Sequence, residues 1–559
     1  MKKSNLRIAL AQINSTVGDL EGNSRKIIQH INRAKELGVD IICFPELAIP
    51  GYPPEDLLHK PKFIEDNLRA LKELSLCVNN IVAVAGFVNK KGIYLYNAAA
   101  VIYNTRICGI YHKMFLPNYG VFDEKRYFEE GDKPLLFKLG GFCFAVNICE
   151  DIWHECGPTR TQAKSGAKLV LNINASPYYA GRIKEREGII RKQAKANKVA
   201  IAYANLIGGQ DELVFDGQSM VVNSRGSIIN RAEAFKEELL VTDIEMPEIN
   251  RKPNGAVIIT DKFYPVEKTK IQKKEVRVLE TVVEIYQALV LGLSDYVRKN
   301  GFQKVVIGLS GGIDSSLVAT LAVDALGKEN VTGLFMPTRH SSQESLTGAR
   351  GLAENLGIKF IVISIEQIYN MYLVVLEPHF AALERNITEE NIQARIRGNM
   401  LMAFSNKFGW LVLTTGNKSE MSTGYATLYG DMAGGLAVIK DVPKMLVYEL
   451  ARYRNSLGTV IPENVLIRPP TAELRPNQKD ADTLPIYETL DPILKAYVEE
   501  DEELEKIVAS GFDKETVAKV LRMVDGSEYK RRQSPPGIKI TPKAFGRDRR
   551  MPITNRYKV

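Results

Sequence analysis

A carboxylate, an ammonium and a thiol stand at three separate points in the first third of the chain, each at the polar end of an apolar run. They are Glu46 in Phe44-Pro45-Glu46-Leu47, Lys113 in Tyr111-His112-Lys113-Met114-Phe115-Leu116-Pro117, and Cys149 in Asn147-Ile148-Cys149-Glu150-Asp151-Ile152-Trp153. Together these groups can divide the hydrolysis of an amide. Cys149 attacks the carbonyl, Glu46 takes and returns protons, and Lys113 stabilises the tetrahedral oxyanion while depressing the thiol pKa. Taken singly, each has a packing, capping or surface explanation; the weight lies in their occurring together at strand ends.

A second chemistry is written in Gly308-Leu309-Ser310-Gly311-Gly312-Ile313-Asp314-Ser315-Ser316, which follows the apolar strand Val305-Val306-Ile307 and precedes a helix starting near Ser315. Adjacent glycines let backbone N–H groups approach an anion, serine hydroxyls add donors, and the helix N-terminus contributes partial positive charge. This is a pyrophosphate cradle. Asp314 would repel bare phosphate, so its presence calls for Mg²⁺ between them. The loop is neither a Gly-Lys-Ser/Thr phosphate loop nor a Gly-x-Gly-x-x-Gly dinucleotide turn.

The elements needed to position these groups are legible as alternating short Val/Ile-rich runs and helical patterns. Residues 1–245 contain strand-like segments at 6–13, 41–44, 81–87, 142–148, 169–173 and 199–204, a layered α/β pattern with chemistry at polar strand ends. Residues 246–274 are Pro, Lys and Glu-rich and read as a linker. Residues 275–559 open with a helix pattern over 278–299 and continue with strands at 304–308, 331–336, 360–365 and 410–414. Two consecutive α/β domains with different motifs imply two chemistries.

The Glu46, Lys113 and Cys149 segments resemble, in order, the motifs of the carbon-nitrogen hydrolase, or nitrilase, superfamily. That resemblance implies an αββα sandwich and a second glutamate near the lysine segment, for which Glu124 is the candidate. Tyr119, Ser176 and Arg182 look like the glutamine-gripping residues of its glutaminase members, and a cation at 182 suits an α-carboxylate. Relatives often carry lysine there, so Arg182 keeps the charge and changes the geometry.

The Gly308–Ser316 loop resembles the signature of N-type ATP pyrophosphatases, which implies a Rossmann-like parallel-sheet domain. The segments 391–397, 413–420, 429–431, 470–474 and 528–531 are similar to the ordered motifs of NAD synthetases. The resemblance implies that ATP meets Gly308, Leu309, Ser310, Gly311, Gly312, Ile313, Asp314, Ser315, Thr415, Lys444 and Thr471. It also implies that Asp314 and Glu420 hold Mg²⁺, and that Asn391, Arg395, Glu420 and Lys530 bind deamido-NAD. Relatives driven by free ammonia tend to have lysine before the Tyr-Gly-Asp triplet; here Leu428 stands there.

The 559 residues carry a formal charge of +8, with much of the excess in Lys530-Arg531-Arg532 and in 547–550. Charge alone leaves three readings of this tail: nucleic-acid binding, a solvated or oligomer-facing surface, or contact with an anionic small ligand. The six cysteines lie at or before Cys156 and form no Cys-x-x-Cys pair, so reduced thiols are expected, with no disulfide framework or zinc knuckle. No run is long and apolar enough to cross a bilayer, and no export signal is apparent.

The combined expectation is a cytoplasmic, homo-oligomeric amidotransferase acting on small molecules, with neither nucleic acid nor membrane as partner. Ammonia from glutamine amidates adenylated deamido-NAD, with ATP as co-substrate and Mg²⁺ as its ion. Two competitors remain: the same architecture acting on another carboxylate acceptor, and a tRNA-modifying adenylating protein.

Overall fold

The computed structural model describes residues 3–247, 255–263, 268, 271, 274–381, 383–476 and 478–557. Much of the 246–274 segment, expected as a linker, lies outside the described residues, but Val257–Thr260 within it form a strand of the first unit instead. The chain separates into two compact units, 1–210 with 214–279 and 211–213 with 280–559.

The first unit is built on two mixed sheets. One comprises β1 (Lys3–Gln12), β2 (Ile41–Cys43), β3 (Val82–Lys91), β4 (Tyr94–Tyr103), β5 (Arg106–His112) and β14 (Glu238–Pro247), in the order β14-β1-β2-β3-β4-β5. The other comprises β6 (Leu136–Leu139), β7 (Phe142–Ile148), β8 (Leu169–Asn174), β9 (Ala200–Asn205), β12 (Met220–Val222), β13 (Ile228–Arg231) and β15 (Val257–Thr260). Its order is β13-β12-β9-β8-β7-β6-β15. Between β9 and β12 the chain forms the two-stranded ribbon β10 (Ile207–Gln210) and β11 (Leu213–Asp216).

Inward residues of both sheets, such as Leu6, Ile8 and Leu10 on β1 and Phe144, Val146 and Leu171 on β7 and β8, form one shared core. Outward residues pack under helices instead. Helices α1 (Leu20–Glu36) and α2 (Pro61–Leu76) cover the first sheet through Ile27, Ile31, Leu71 and Leu74. Helix α4 (Arg182–Asn197), which follows the short α3 (Pro158–Lys164), covers the second through Ile183, Ile190 and Ala194. The result is the αββα sandwich, and both faces of its central strands read as continuous apolar runs because both are covered.

The second unit contains a parallel sheet of β16 (Val305–Gly308), β17 (Val331–Phe335), β18 (Lys359–Val362), β19 (Leu411–Thr414) and β20 (Leu436–Ala437), in the order β18-β17-β16-β19-β20. The helix expected over 278–299 is α5 (Thr281–Lys299), followed by α6 (Ile313–Leu326) and α7 (Gln343–Leu356). Helices α8 (Glu366–Phe380) and α9 (Ile387–Phe408) cover one face of the sheet through Tyr369, Ile392 and Ile396 against Val306, Leu334 and Val412. Strand order reverses between β16 and β19, and a crevice opens at their carboxyl ends, where open parallel sheets bind ligands.

Candidate active sites

In the first unit, Glu46, Lys113 and Cys149 converge. Lys113 follows β5, Glu46 follows β2 and Cys149 follows β7, so three strand ends supply the three groups. Lys113 Nζ donates to Glu46 Oε1 at 2.7 Å and to Glu124 Oε1 at 2.8 Å, with all three side chains buried. Glu46 Oε1 also accepts from Asn97 Nδ2 at 2.7 Å, and Glu46 Oε2 accepts from the Ala175 backbone N–H at 2.9 Å. The strand behind this loop must be bare: a Cβ on Gly86 would lie 2.3 Å from Leu47 N and 2.4 Å from Pro45 O.

Cys149 sits at φ 41°, in the left-handed region that a β-substituted residue adopts at a cost, on a sharp turn from strand to single-turn helix. The expected depression of its thiol pKa is not what the site produces. Burial pushes the thiol well above its usual range, Glu46 adds to the rise, and the opposing pull of Lys113 is smaller. A neutral thiol beside a carboxylate needs a base to ionise it, a role Glu46 can fill. Burial alone would strip Lys113 of its proton, but Glu124 and Glu46 hold it there, and its pKa is raised. Burial likewise pushes Glu124 up to about 7, against Lys113.

Tyr119, Ser176 and Arg182 contact residues near this centre and not the three groups themselves. Tyr119 Oη donates to Glu150 Oε2 at 3.0 Å, the Arg182 guanidinium lies 4.2 Å from the Trp153 ring centroid, and Ser176 Oγ accepts from the buried Arg186 Nε at 3.1 Å. Arg182 also pairs with Glu185 at 2.6 Å.

Several supporting residues escape sequence reasoning. Tyr52 Oη donates to Glu124 Oε1 at 3.1 Å, and Arg186 forms a fully buried pair with Asp216 at 2.7 Å. Asp151 accepts from Tyr111 Oη at 2.7 Å, from Ile148 N at 2.9 Å, and from Met114 N and Phe115 N at 3.0 Å each. It thereby clamps the segment after Lys113 to the turn that presents Cys149. Only its place two residues after the cysteine could have singled it out.

In the second unit, the loop after β16 and the residues after β19 face each other across the reversal point. Gly311 has φ 80°, and a Cβ there would lie 2.3 Å from Ser345 O, so the cradle requires glycine. Ser310 Oγ accepts from Gly312 N at 3.2 Å and lies 3.1 Å from Ser315 Oγ, which holds the loop open ahead of α6. Asp314 accepts from Asn417 Nδ2 at 3.0 Å and from Lys444 Nζ at 2.5 Å. Lys444 Nζ lies 3.6 Å from Glu420 Oε1, so one ammonium serves two carboxylates. Burial first, then Asp314, pushes Glu420 up to about 8.

Two adjoining cavities meet at Ser310, Asp314 and Glu420. One is lined by Lys444, Arg468, Thr471 and Asp480. The other has Thr415, Phe335, Met336, Leu401 and Leu413 in its walls, with the loop from Gly308 to Ser310. Thr471 Oγ1 is itself turned to Gln478 O at 2.6 Å.

Asn391, Arg395 and Lys530 gather elsewhere, around residues 424–428. Asn391 Oδ1 accepts from Thr427 Oγ1 at 2.8 Å, and Lys530 Nζ donates to Gly424 O at 2.7 Å and Ala426 O at 2.9 Å. Arg395 Nε donates to Leu428 O at 3.1 Å. Leu428 thus contributes its carbonyl to this cluster, and Arg395 lines a separate groove with Tyr372, Tyr429 and Gln533. Arg531 of the basic tail is buried, paired with Glu528 and 4.6 Å from the Phe545 ring.

Among the described residues, no helix is long and apolar enough to cross a membrane, and no three carboxylate, histidine or cysteine side chains group as a metal site. Asp314 and Glu420, both beside Lys444 and next to the Ser310–Gly312 loop, nonetheless fit Mg²⁺, which takes few protein ligands and completes its shell with phosphate oxygens and water.

A carbon-nitrogen hydrolase family model matches residues 7–254, and an NAD synthase family model matches residues 285–534. A glutamine-dependent NAD(+) synthetase of Thermotoga maritima is 50% identical, with 99% of each chain covered. That of Aquifex aeolicus is 49% identical over 99% of this chain and 100% of the relative. The solved glutamine-dependent NAD+ synthetase of Acinetobacter baumannii in complex with adenosine diphosphate is 44% identical, covers 99% of both chains and superposes with a TM-score of 0.76. A Cytophaga hutchinsonii structure at 24% identity, TM-score 0.81 and coverage of 99% and 98% shares the fold. With both domain families matched in order and full-length relatives at this identity, the chain belongs to the glutamine-dependent NAD(+) synthetase family.

Proposed function

We propose that this chain makes NAD from deamido-NAD, using glutamine as nitrogen source and ATP as activating co-substrate. The observation that carries this reading is the presence, in one chain, of Cys149 beside Glu46 and Lys113 and of the Ser310–Asp314 cradle with Lys444 between two carboxylates.

At the first site, Glu46 takes the Cys149 proton as the sulfur adds to the glutamine side-chain carbonyl. Lys113, kept charged by two carboxylates, faces the developing oxyanion. Glu46 returns the proton to the departing ammonia, and water then releases glutamate from the thioester. Glu124 keeps Lys113 charged when Glu46 is protonated. Arg182 suits the substrate α-carboxylate, with Tyr119 and Ser176 as further glutamine-binding residues. The Asp151 clamp supports the relative placement of thiol and ammonium. Asp151→Asn, which turns an amide N–H₂ toward backbone donors, is expected to lower glutamine hydrolysis by about ten-fold or more through kcat, with ammonium-driven synthesis retained.

At the second site, the nicotinate carboxylate attacks the ATP α-phosphorus and pyrophosphate leaves; ammonia then displaces AMP from the adenylate. Backbone donors of Gly308–Ser315 with Lys444 hold the leaving pyrophosphate, and Thr415 and Thr471 line the nucleotide cavities. Asp314 and Glu420 would hold Mg²⁺, whose charge offsets that of the phosphates. Asn391, Arg395 and Lys530, with Glu420 nearer the cradle, offer the cations and polar groups a dinucleotide needs.

The same reading makes this a cytoplasmic enzyme of small molecules. A homo-oligomer is supported by the outer face of α8, where Met371, Val374 and Val375 are 63%, 61% and 62% exposed. The test is direct: purified protein given deamido-NAD, ATP, Mg²⁺ and glutamine should yield NAD, AMP, pyrophosphate and glutamate. Product only with a different acceptor, or adenylation of tRNA, would replace this reading.

A further inference from the structure

Two arginines stand two residues apart on α9, and a helix turns by about 200° over that interval. Arg395 therefore lines the groove beside Tyr372 and Tyr429, whereas Arg397 enters the cavity bounded by the Gly308–Ser310 loop. Its Nε donates to Met336 O at 3.0 Å, which fixes the guanidinium in the cavity wall and leaves both Nη groups for another partner. Among the described residues, no carboxylate lies within ion-pairing distance of it; the charge it feels is that of Glu473, which lines the same cavity. Burial accordingly lowers its pKa to about 10, and it remains a cation at neutral pH.

A cation held in a cavity wall without a counter-ion is unfavourable unless an anion arrives to meet it. The cavity's other features say which anion. Phe335, Met336, Leu401 and Leu413 supply apolar walls suited to a planar base, and Ser310, Asp314 and Ser315 connect the space to the phosphate cradle. Lys444 stands in the neighbouring cavity and is already shared by Asp314 and Glu420, so it leaves the adenosine side of the junction without a cation of its own.

We propose that Arg397 is a nucleotide-binding residue whose guanidinium pairs with the phosphate of the adenosine moiety, in ATP and again in the adenylate. This rests on the assignment of the cradle to ATP and extends it to a residue on α9. Arginine suits the place because its Nε can hold the protein while its Nη groups hold a phosphate oxygen, a division lysine cannot reproduce.

The test compares full-length wild type, Arg397→Met and Arg397→Lys. With ammonium as nitrogen source, Arg397→Met should raise KM for ATP about ten-fold or more and leave KM for deamido-NAD within about two-fold. Binding measured directly should show AMP weakened by about the same factor and adenosine unchanged. The ligand-free Arg397→Met protein should melt at or above the wild-type temperature, since it loses an uncompensated charge, while the rise in Tm on adding MgATP should shrink. Arg397→Lys should recover only part of the loss. An unchanged AMP affinity, an equal loss for AMP and adenosine, or a lower ligand-free Tm with unchanged KM for ATP would each overturn the proposal. Failure of the enzymatic assignment reads differently: wild type would then bind AMP yet form no NAD.

Discussion

Cys149→Ala is expected to reduce glutamine-driven NAD formation by roughly three orders of magnitude or more while leaving the ammonium-driven rate within about two-fold. The magnitude follows from the chemistry assigned to the sulfur. Glu46 and Lys113 stay in place, held by Asn97, Ala175 N and Glu124, but neither supplies a nucleophile that can form the acyl intermediate. Folding should survive, because a single buried sulfur is removed from a residue already on a strained turn, and alanine leaves only a small void. The readout is NAD produced per enzyme from glutamine and from ammonium chloride, with melting temperature as the control. Loss of both rates in a folded variant would mean that the two chemistries are not separable as assigned.

The glutamine route should also fall on acidification. Burial holds Glu124 up at about 7, so lowering the pH through that value neutralises one of the two carboxylates that bracket Lys113. A carboxyl whose folded pKa lies above its unfolded one takes up its proton in the folded state first, so this group does not weaken the fold as the pH drops. What changes is the negative charge opposite Lys113 that helps hold its ammonium charged and in place. The glutamine-driven rate should therefore drop relative to the ammonium-driven one, corrected for the free ammonia fraction.

The three strand ends of the first unit and the Gly308–Ser316 cradle stand out in the sequence because each follows an apolar run and changes abruptly to polar residues. The parallel centre of each sheet is legible for the same reason: strands covered on both faces are short, continuous and Val/Ile-rich. The antiparallel additions β4 and β14 are not. They carry mixed, partly exposed patterns, and their pairing is fixed by partners distant in sequence, as Lys3 opposite Pro247 illustrates.

The sites divide similarly. Asp314 and Glu420 can be named from local motifs, but their sharing of Lys444 spans 130 residues in the case of Asp314, and no spacing rule encodes it. The direction of the Cys149 pKa shift is hidden because charge near a thiol can be inferred from residue types, whereas burial depends on the finished fold and here outweighs it. Arg397 lies inside a recognisable motif. What distinguishes it from Arg395 is which side of α9 faces the crevice, and that is set by the sheet packing of Ile392 and Ile396.

Asp314→Asn is expected to produce the converse separation, lowering NAD formation from both nitrogen sources by about 10²–10³-fold while glutamine hydrolysis persists. The substitution is nearly isosteric and lies in the first turn of α6, so the backbone cradle from Ser310 to Gly312 keeps its donors. Its effect is electrostatic. One of the two carboxylates proposed to hold Mg²⁺ disappears, and Lys444 is left with Glu420 alone, drawing its ammonium away from the proposed pyrophosphate position. Glu420, relieved of repulsion by Asp314, should ionise more readily, which lets excess Mg²⁺ restore part of the rate through the remaining ligand. Partial rescue by Mg²⁺ therefore distinguishes loss of a metal ligand from loss of a fold contact, since unfolding would not respond to the ion. If the variant synthesises NAD at the wild-type rate at limiting Mg²⁺, Asp314 serves only to neutralise Lys444, and the ion must be held by the phosphates without it.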